Sequence, residues 1–224
     1  MNWIFYVLIA LVAGLAGTGL FQPARLTVEQ KRTERGGEPS EKTERRLTVC
    51  RIGLWISVLF LTGFLALYYR TDLMLICRTM LLCAILWVCA WSDLAEHLIP
   101  NKVLLLGLLG LAAVLSLDML LHMELALYIL LSTVLAALFM GVAGVLCRLV
   151  TPGAMGWGDV KLIILMGAYL GQESIWSAIF CSLLCCFAVS VFLLVTRRAD
   201  RKTELPFAPF LLAGTMLAAF LTGI

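Results

Sequence analysis

Long apolar stretches, separated by short polar ones, dominate the chain. Each stretch is apolar enough, and most are long enough, to predict a helix that crosses a membrane. The eight stretches are residues 3–21, 52–69, 73–91, 103–117, 125–146, 160–171, 175–196 and 207–222. Their apolar positions are continuous, whereas the strands of an outer-membrane barrel alternate weakly over about ten residues. The pattern therefore predicts an all-α, polytopic integral membrane bundle of about eight transmembrane helices.

Composition supports this class and excludes others. The chain is 62% hydrophobic and 14% charged, with a mean hydropathy of +1.01, which is unlike a soluble domain. A net charge of +3 is too small to indicate binding to nucleic acid, and no nucleic-acid partner is expected. The eight cysteines include no C-x-x-C pair, so they predict small buried side chains and not a zinc or redox site.

The distribution of basic residues predicts the orientation in the membrane. If the N terminus lies outside, the cytosolic segments 22–51, 92–102, 147–161 and 197–206 contain 15 of the 17 Lys and Arg residues, and the exceptions on the outer face are Arg70 and Arg78. This asymmetry follows the positive-inside rule. The first apolar stretch has no basic residue before it, so we expect a retained anchor and not a secretory signal. The sequence thus predicts a multi-pass protein of the cell inner (cytoplasmic) membrane.

The one sizeable polar insertion, residues 22–51, is expected to be a charged cytosolic linker. Residues 36–40 predict a turn between two short charged stretches that could form surface helices. Contact with anionic lipid headgroups is enough to explain the basic residues of this linker, although a specific binding role is an alternative. We expect residues 1–72 to comprise the anchor helix, this linker and a second helix.

Two acidic residues are not explained by topology alone. Asp93 comes near the end of the third predicted helix, and Asp159 comes just before the sixth, after Gly156 and Gly158. The predicted orientation places both on the same membrane face. Because residues 160–171 rise only about 18 Å against a hydrocarbon core of about 30 Å, Asp159 could lie below the headgroups, where acids are usually functional. The alternative is that Asp159 merely caps its helix.

A pair of carboxyl groups that can share a proton suggests a specific chemistry. One carboxylate can remove a proton from water while the other, protonated, polarises a peptide carbonyl. We hypothesise that Asp159, at a helix N terminus, carries the negative charge and that Asp93, near a helix C terminus, carries the proton. Gly156 and Gly158 would allow the backbone to approach a substrate strand closely.

Three segments together resemble the type 4 prepilin peptidase family, whose members are membrane aspartic peptidases and include preflagellin peptidases. Asp93 followed by Ile-Pro-Asn at 99–101 resembles the D-x5-I-P-N box of that family. Residues 156–162 resemble its G-x-G-D-x-K-L box. Residues 205–210 resemble its late P-F-G-P-F segment, with Ala208 in place of the usual glycine.

The resemblance covers about residues 73–224 and implies a six-helix aspartic peptidase core in which Asp93 and Asp159 are catalytic. It implies a prepilin or pseudopilin substrate, whose short basic leader is cut on the cytosolic side, usually after a glycine. No cofactor is expected, and the partners are that substrate and membrane lipid. The expected substrate-binding residues are Gly156, Trp157, Gly158, Lys161, Pro206 and Phe207. Lys161 could instead mark the cytosolic boundary, and tryptophan is common at membrane interfaces.

Two further activities are not expected. Bifunctional members of the family carry two zinc-binding C-x-x-C pairs in an N-terminal insertion that is associated with methylation by S-adenosylmethionine. Because Cys50 is the only cysteine before residue 73, we do not expect N-methyltransferase activity. Glu96 and His97 could be drawn as metal ligands beside Asp93, but the other histidine, His122, is predicted on the far side, so no metal site is expected.

Three alternative functions remain open. Proteases of the presenilin or signal peptide peptidase type also use G-x-G-D, but they carry P-A-L where this chain has Leu-Pro-Phe at 205–207, and the Ile-Pro-Asn box also argues against them. A transporter or proton channel would keep acids near mid-bilayer, often within inverted repeats, and the sequence shows no such repeat. A non-catalytic relative acting as an assembly factor would not need both aspartates. The oligomeric state is unknown from the sequence.

Overall fold

The computed structural model describes residues 3–34, 41–65, 67, 73–150, 155–196 and 205–223, and it contains no strand within those ranges. Six of its seven α-helices are long and apolar enough to cross a membrane, and the seventh is shorter. The protein is therefore an all-α polytopic membrane bundle, as predicted. Its helices are α1 (Trp3–Glu34), α2 (Glu41–Phe64), α3 (Leu73–Glu96), α4 (Asn101–Leu121), α5 (Ala126–Val150), α6 (Trp157–Val195) and α7 (Ala208–Thr222).

Helix α3 is the centre of the bundle. It packs against α1, α2, α4, α6 and α7, and most of its side chains from Ile76 onward are buried. By contrast, α4 and α5 expose many leucines, among them Leu105, Leu109 and Leu138. Large apolar side chains on an outer surface suit contact with hydrocarbon. The most buried helix therefore carries Asp93, while α4 and α5 form much of the lipid-facing surface.

The N-terminal helices share the core of the bundle. The rings of Phe21 on α1 and Trp91 on α3 pack edge to face, with ring centroids 5.9 Å apart. Residues 22–34 continue α1 and residues 41–51 begin α2, so the predicted surface helices are extensions of the spanning helices. The predicted turn at 36–40 lies outside the described residues. One buried cluster includes side chains from residues 1–72 and from residues 73–224. The predicted division of the chain between these two parts stays a prediction.

Helix α6 consists of two arms that meet at Gly171. This residue has φ 69° and ψ −178°, which is not helical. Met166, before the break, lies 4.0 Å from the Thr215 hydroxyl, and Ser182, after it, packs against the neighbouring Gly214. In a straight helix, residues 166 and 182 would lie about 24 Å apart, too far to touch adjacent residues of α7. The chain therefore doubles back at Gly171.

This reversal accounts for the difference between the seven helices and the eight predicted ones. The sequence predicts separate spans at 160–171 and 175–196, and these correspond to the two arms at 157–170 and 172–195. The first arm is about 21 Å long, shorter than the hydrocarbon core. Its length agrees with the short sixth span read from the sequence.

Replacing Gly171 with alanine is expected to destabilise the protein by about 1–3 kcal/mol, because the backbone region that Gly171 occupies is almost restricted to glycine. A Cβ there would also lie 2.9 Å from the Ser132 hydroxyl. The loss should appear as a lower midpoint of thermal unfolding in detergent. Gly63→Ala is the control, since a Cβ at Gly63 meets nothing within 4 Å. Equal midpoints for the two variants would contradict the assignment of strain to Gly171.

Candidate active site

Asp93 lies in the last turn of α3, and its side chain reaches the start of α7. The residue is only 6% exposed. Its Oδ2 accepts a hydrogen bond from the backbone N–H of Ala208 at 3.0 Å. The helix ends just beyond, where His97 adopts a left-handed backbone (φ 48°) and donates its N–H to the Asp93 carbonyl oxygen at 2.9 Å. Asp93 is thus a buried acid held by the N terminus of another helix.

Asp159 lies in the first turn of α6 and is half-buried. Its Oδ2 accepts the N–H of Gly156 at 3.1 Å, which closes a capping box at the start of the helix. The capping role considered from the sequence is therefore present. The cap uses one acceptor position of the Asp159 carboxyl group, whereas an ionised carboxylate has about four such positions on its two oxygens. Capping fixes the direction of the side chain and leaves acceptor positions for other partners.

The structure brings Asp93 and Asp159 to the same end of the bundle, which we call the site end. Their carboxyl groups are close enough for the charge of Asp93 to act on Asp159, and the charges of both act on the buried Cys89 thiol. Each carboxylate also accepts a backbone N–H at a helix N terminus. Asp159 lies at the N terminus of α6 and Asp93 near the C terminus of α3, but the Ala208 amide places Asp93 at a helix N terminus as well. The assignment of the charge to Asp159 and the proton to Asp93 therefore stays a prediction.

The two sequence boxes that contain the aspartates pack directly on one another. The Nζ of Lys161 donates a hydrogen bond to the Oδ1 of Asn101 at 3.0 Å. A Cβ on Gly158 would lie 3.0 Å from the Cβ of Ile99, so this glycine permits close approach of the two segments. Ile99 of the same chain thus lies against Gly158, and contact of this glycine with a substrate strand stays a prediction. These contacts fix the start of α6 against the loop that follows Asp93.

If the site cleaves peptides, as the resemblance implies, the bond between Asn101 and Lys161 should contribute to that activity by holding the start of α6 in position. Because the bond is charge-assisted but exposed, we expect Lys161→Met or Asn101→Leu each to lower kcat roughly fivefold. The double variant should be little worse than either single variant, since each removes the same bond. Rates of peptide cleavage in reconstituted membranes would measure this. If the decrease in kcat of the double variant equals the product of the two single decreases, Lys161 acts independently of Asn101. That result would favour the direct substrate contact expected of Lys161.

Trp157, Pro206 and Phe207 also lie at the site end. Trp157 is 57% exposed, and the Arg148 guanidinium lies 4.4 Å from its ring centroid. Pro206 and Phe207 are half-buried and precede the α7 amide that binds Asp93. Gly156 is exposed beside them at the start of α6. All the residues that the sequence nominated are therefore near one another, and contact with a substrate stays a prediction for each.

The acidic neighbour of Asp93, Glu96, has a basic partner on another helix. An Oε of Glu96 lies 3.7 Å from the Nε of Arg32, which joins the end of α3 to the extension of α1. Among the described residues, no group of three or more His, Cys, Asp or Glu side chains is arranged to hold a metal ion. His122 lies at the far end of α4, beyond reach of His97.

Sequence reasoning missed the main-chain donor at Ala208, the partner role of Asn101 and the contact between Arg148 and Trp157. One signal could have indicated the first of these. Proline is favoured in the first turn of a helix, so Pro209 marks the start of α7, and a helix N terminus attracts a carboxylate. The other two contacts join residues from different helices and leave no pattern in the sequence.

A separate groove of about 810 Å³ lies between α4, α5 and the first arm of α6. Its lining contains neither aspartate and no charged side chain. Such a surface suits hydrocarbon, so the groove is a lipid-facing feature and does not belong to the acidic site.

Comparison with known protein families gives a match over residues 80–195 to the type IV leader peptidase family. The matched region includes both Asp93 and Asp159, and it ends before the segment at 205–210. The match covers just over half of the chain.

Similarity to an individual protein is consistent with this family. The chain is 32% identical over 135 residues to the prepilin leader peptidase/N-methyltransferase of Bacillus subtilis (strain 168). The alignment covers 60% of this chain and 52% of the relative, so the chain spans about half the length of the protein it matches. No solved structure matches the chain.

Proposed function

Since the chain belongs to the type IV leader peptidase family, we propose that it is a membrane-embedded aspartic endopeptidase that removes the short basic leader from type 4 prepilins or pseudopilins. The supporting observation is the pair of acids at the site end. Asp93 is buried against the N terminus of α7, and Asp159 is fixed by its own helix N terminus within electrostatic range. Burying acidic side chains in a membrane protein costs free energy, so acids that are kept there usually have a function. This favours a functional role for Asp93 and Asp159.

The proposed reaction is hydrolysis of one peptide bond. The ionised carboxylate of the pair takes a proton from water, and the water oxygen attacks the carbonyl carbon of the scissile peptide. The protonated carboxyl donates to the carbonyl oxygen and stabilises the charge that develops there. Collapse of the tetrahedral intermediate breaks the C–N bond, and the nitrogen leaves with a proton. The products are the leader with a new carboxylate and the mature pilin with a new amino group.

The proposed orientation follows from the charge distribution. With the N terminus outside the inner membrane, the site end faces the cytosol, where 15 of the 17 Lys and Arg residues would lie. A single-pass substrate could then keep its apolar helix in lipid while its leader enters from the cytosol. A basic leader would also be attracted to the acidic pair. We propose that Trp157 and Phe207 line the entrance for the residues on either side of the scissile bond.

The test is cleavage of a defined substrate by the purified protein in lipid vesicles. A pilin precursor with a basic leader and a glycine before the cleavage site is the substrate, and the precursor with that glycine replaced by a bulky residue is its control. We expect the first to yield a product whose N terminus, read by mass spectrometry, follows the glycine, and the second to be cut poorly. Failure to cut the first precursor, by protein shown to be folded, would contradict the proposal.

The same product tests the expectation about methylation. With S-adenosylmethionine present, the new N terminus should keep the mass of a free amino group. A shift of one methyl group would overturn the expectation that the chain lacks N-methyltransferase activity.

A further inference from the structure

A buried arginine lies at the end of the bundle opposite the site end, far from the reacting groups of the proposed reaction. Arg78 is 8% exposed and lies on α3, the helix that carries Asp93. The sequence placed it among the few basic residues on the predicted outer face, so it does not serve the positive-inside asymmetry. A buried charge is costly unless it is paired and hydrogen-bonded. Its partners therefore indicate what it does.

Arg78 binds the break in α6. In a continuous helix the Ala168 carbonyl would accept the N–H of Gln172, four residues later. Here that N–H donates to the Ser132 hydroxyl at 2.9 Å, because the chain turns at Gly171. The freed Ala168 carbonyl accepts a hydrogen bond from the Nη2 of Arg78 at 3.2 Å. Side chains from α3 and α5 thus replace the helix bond that the break removes.

The guanidinium is itself held in place by other polar groups. Its Nη2 also lies 3.3 Å from the Thr133 hydroxyl, and its Nη1 lies 3.9 Å from the Oδ2 of Asp118. The other oxygen of Asp118 lies 2.9 Å from the Nδ1 of His122. Asp118 is buried, so the pair of charges is shielded from solvent. Arg78 is thereby anchored to α4 and α5 as well as to α6.

The placement of this contact links it to the site end. Arg78 and Asp93 are 15 residues apart on α3, which is about 22 Å along the helix. Ala168 and Asp159 are nine residues apart on the first arm of α6, about 14 Å. Helix α3 and the first arm of α6, which carry the two aspartates, are therefore joined at the opposite end by the hydrogen bond from Arg78 to the Ala168 carbonyl oxygen. A helix that shifts along its axis changes little in length. A shift of either helix at this bond would therefore change the separation of the Asp93 and Asp159 carboxyl groups at the site end.

We propose that Arg78 is a positioning residue that fixes the register of the first arm of α6 against α3, and through it the separation of the Asp93 and Asp159 carboxyl groups. The effect on catalysis rests on the proposed peptidase function. The effect on the register does not.

The experiment uses Arg78→Met, the double variant Arg78→Met with Asp118→Leu, and Arg78→Lys. The double variant removes both charges, so it leaves no unpaired buried ion. Lysine keeps the charge but offers one compact ammonium, which cannot serve Ala168, Thr133 and Asp118 in the geometry of a guanidinium. Thr79→Val is the matched control: Thr79 is buried next to Arg78, and its hydroxyl donates within α3, to the Leu75 carbonyl oxygen.

Two readouts separate positioning from general instability. In vesicles, kcat for the pilin precursor should fall about 10- to 100-fold in all three Arg78 variants while KM changes less than about twofold, because small displacements of catalytic groups have effects of that size. Amide hydrogen exchange should become faster over 157–170 but not over 208–222. Thr79→Val should match wild type in both readouts.

The proposal is overturned if a folded Arg78 variant keeps wild-type kcat and wild-type exchange over 157–170. If Arg78→Met and the double variant do not fold, Arg78→Lys decides alone on the same criteria. If wild-type protein does not cut the precursor, the peptidase proposal fails and the exchange data still decide whether Arg78 fixes the arm.

Discussion

Replacing Asp93 or Asp159 with asparagine should each lower the rate of precursor cleavage by roughly 10²- to 10⁴-fold, the usual contribution of a general acid or base. Neither replacement should unfold the protein. An asparagine carbonyl can still accept the N–H of Ala208 or of Gly156, and its volume is nearly that of aspartate. Initial rates of leader removal in vesicles, read on a gel, measure the effect.

The control for this pair is Glu124→Gln, which makes the same chemical change at an exposed acid on the far side of the bundle. It should cleave at the wild-type rate. Thermal unfolding midpoints of all three variants should lie close together. Full processing by both aspartate variants would exclude the acid pair as the catalytic centre, whereas loss in only one would exclude a shared role.

Replacing Gly214 with alanine should give the largest loss of stability among single methyl additions, at the upper end of about 1–3 kcal/mol. Gly214 lies where α7 crosses the second arm of α6, and an added Cβ would overlap the backbone N and Cα of Ser182. Backbone atoms cannot rotate away, so the two helices must separate. Small residues allow this close approach in membrane proteins.

Separation at Gly214 should also reach the candidate active site. Helix α7 begins at Ala208, whose N–H binds Asp93, so a shift of α7 moves that donor. We expect kcat to fall about 10- to 100-fold together with a lower unfolding midpoint. Removing the Ser182 side chain by Ser182→Gly should not rescue Gly214→Ala, because the overlap is with main-chain atoms. Rescue would show that the hydroxyl alone sets the spacing, and Gly63→Ala serves as the neutral comparison.

The helices themselves were largely predictable. Continuous apolar runs of the right length specify spanning helices without knowledge of their neighbours, because the backbone must satisfy its own hydrogen bonds in lipid. Even the division of α6 was indicated, since Gly171, Gln172 and Glu173 interrupt an apolar run that is too long for one span. The bounds were less predictable. Helix α1 continues to Glu34, because charged residues after the apolar stretch are compatible with a helix in water.

The acids of the candidate site were also visible in the sequence, because charged residues at the ends of apolar helices stand out. Their partners were not visible. Asp93 binds a main-chain N–H 115 residues later in the chain, and any residue except proline could supply that donor. The close approach of Ile99 to Gly158 was not visible either. Arg78 was noted only as an exception to the charge asymmetry.

The sequence by itself determined the membrane class, the helical spans and the acids that meet at one end, since each follows from local hydropathy and charge. Only the tertiary structure decided how the helices are held in register: the reversal at Gly171, the bond from Arg78 to the freed Ala168 carbonyl, and the α7 amide on Asp93. These features depend on backbone groups that are chemically alike in every residue. Their roles appear only when packing brings a particular carbonyl or amide beside a particular side chain.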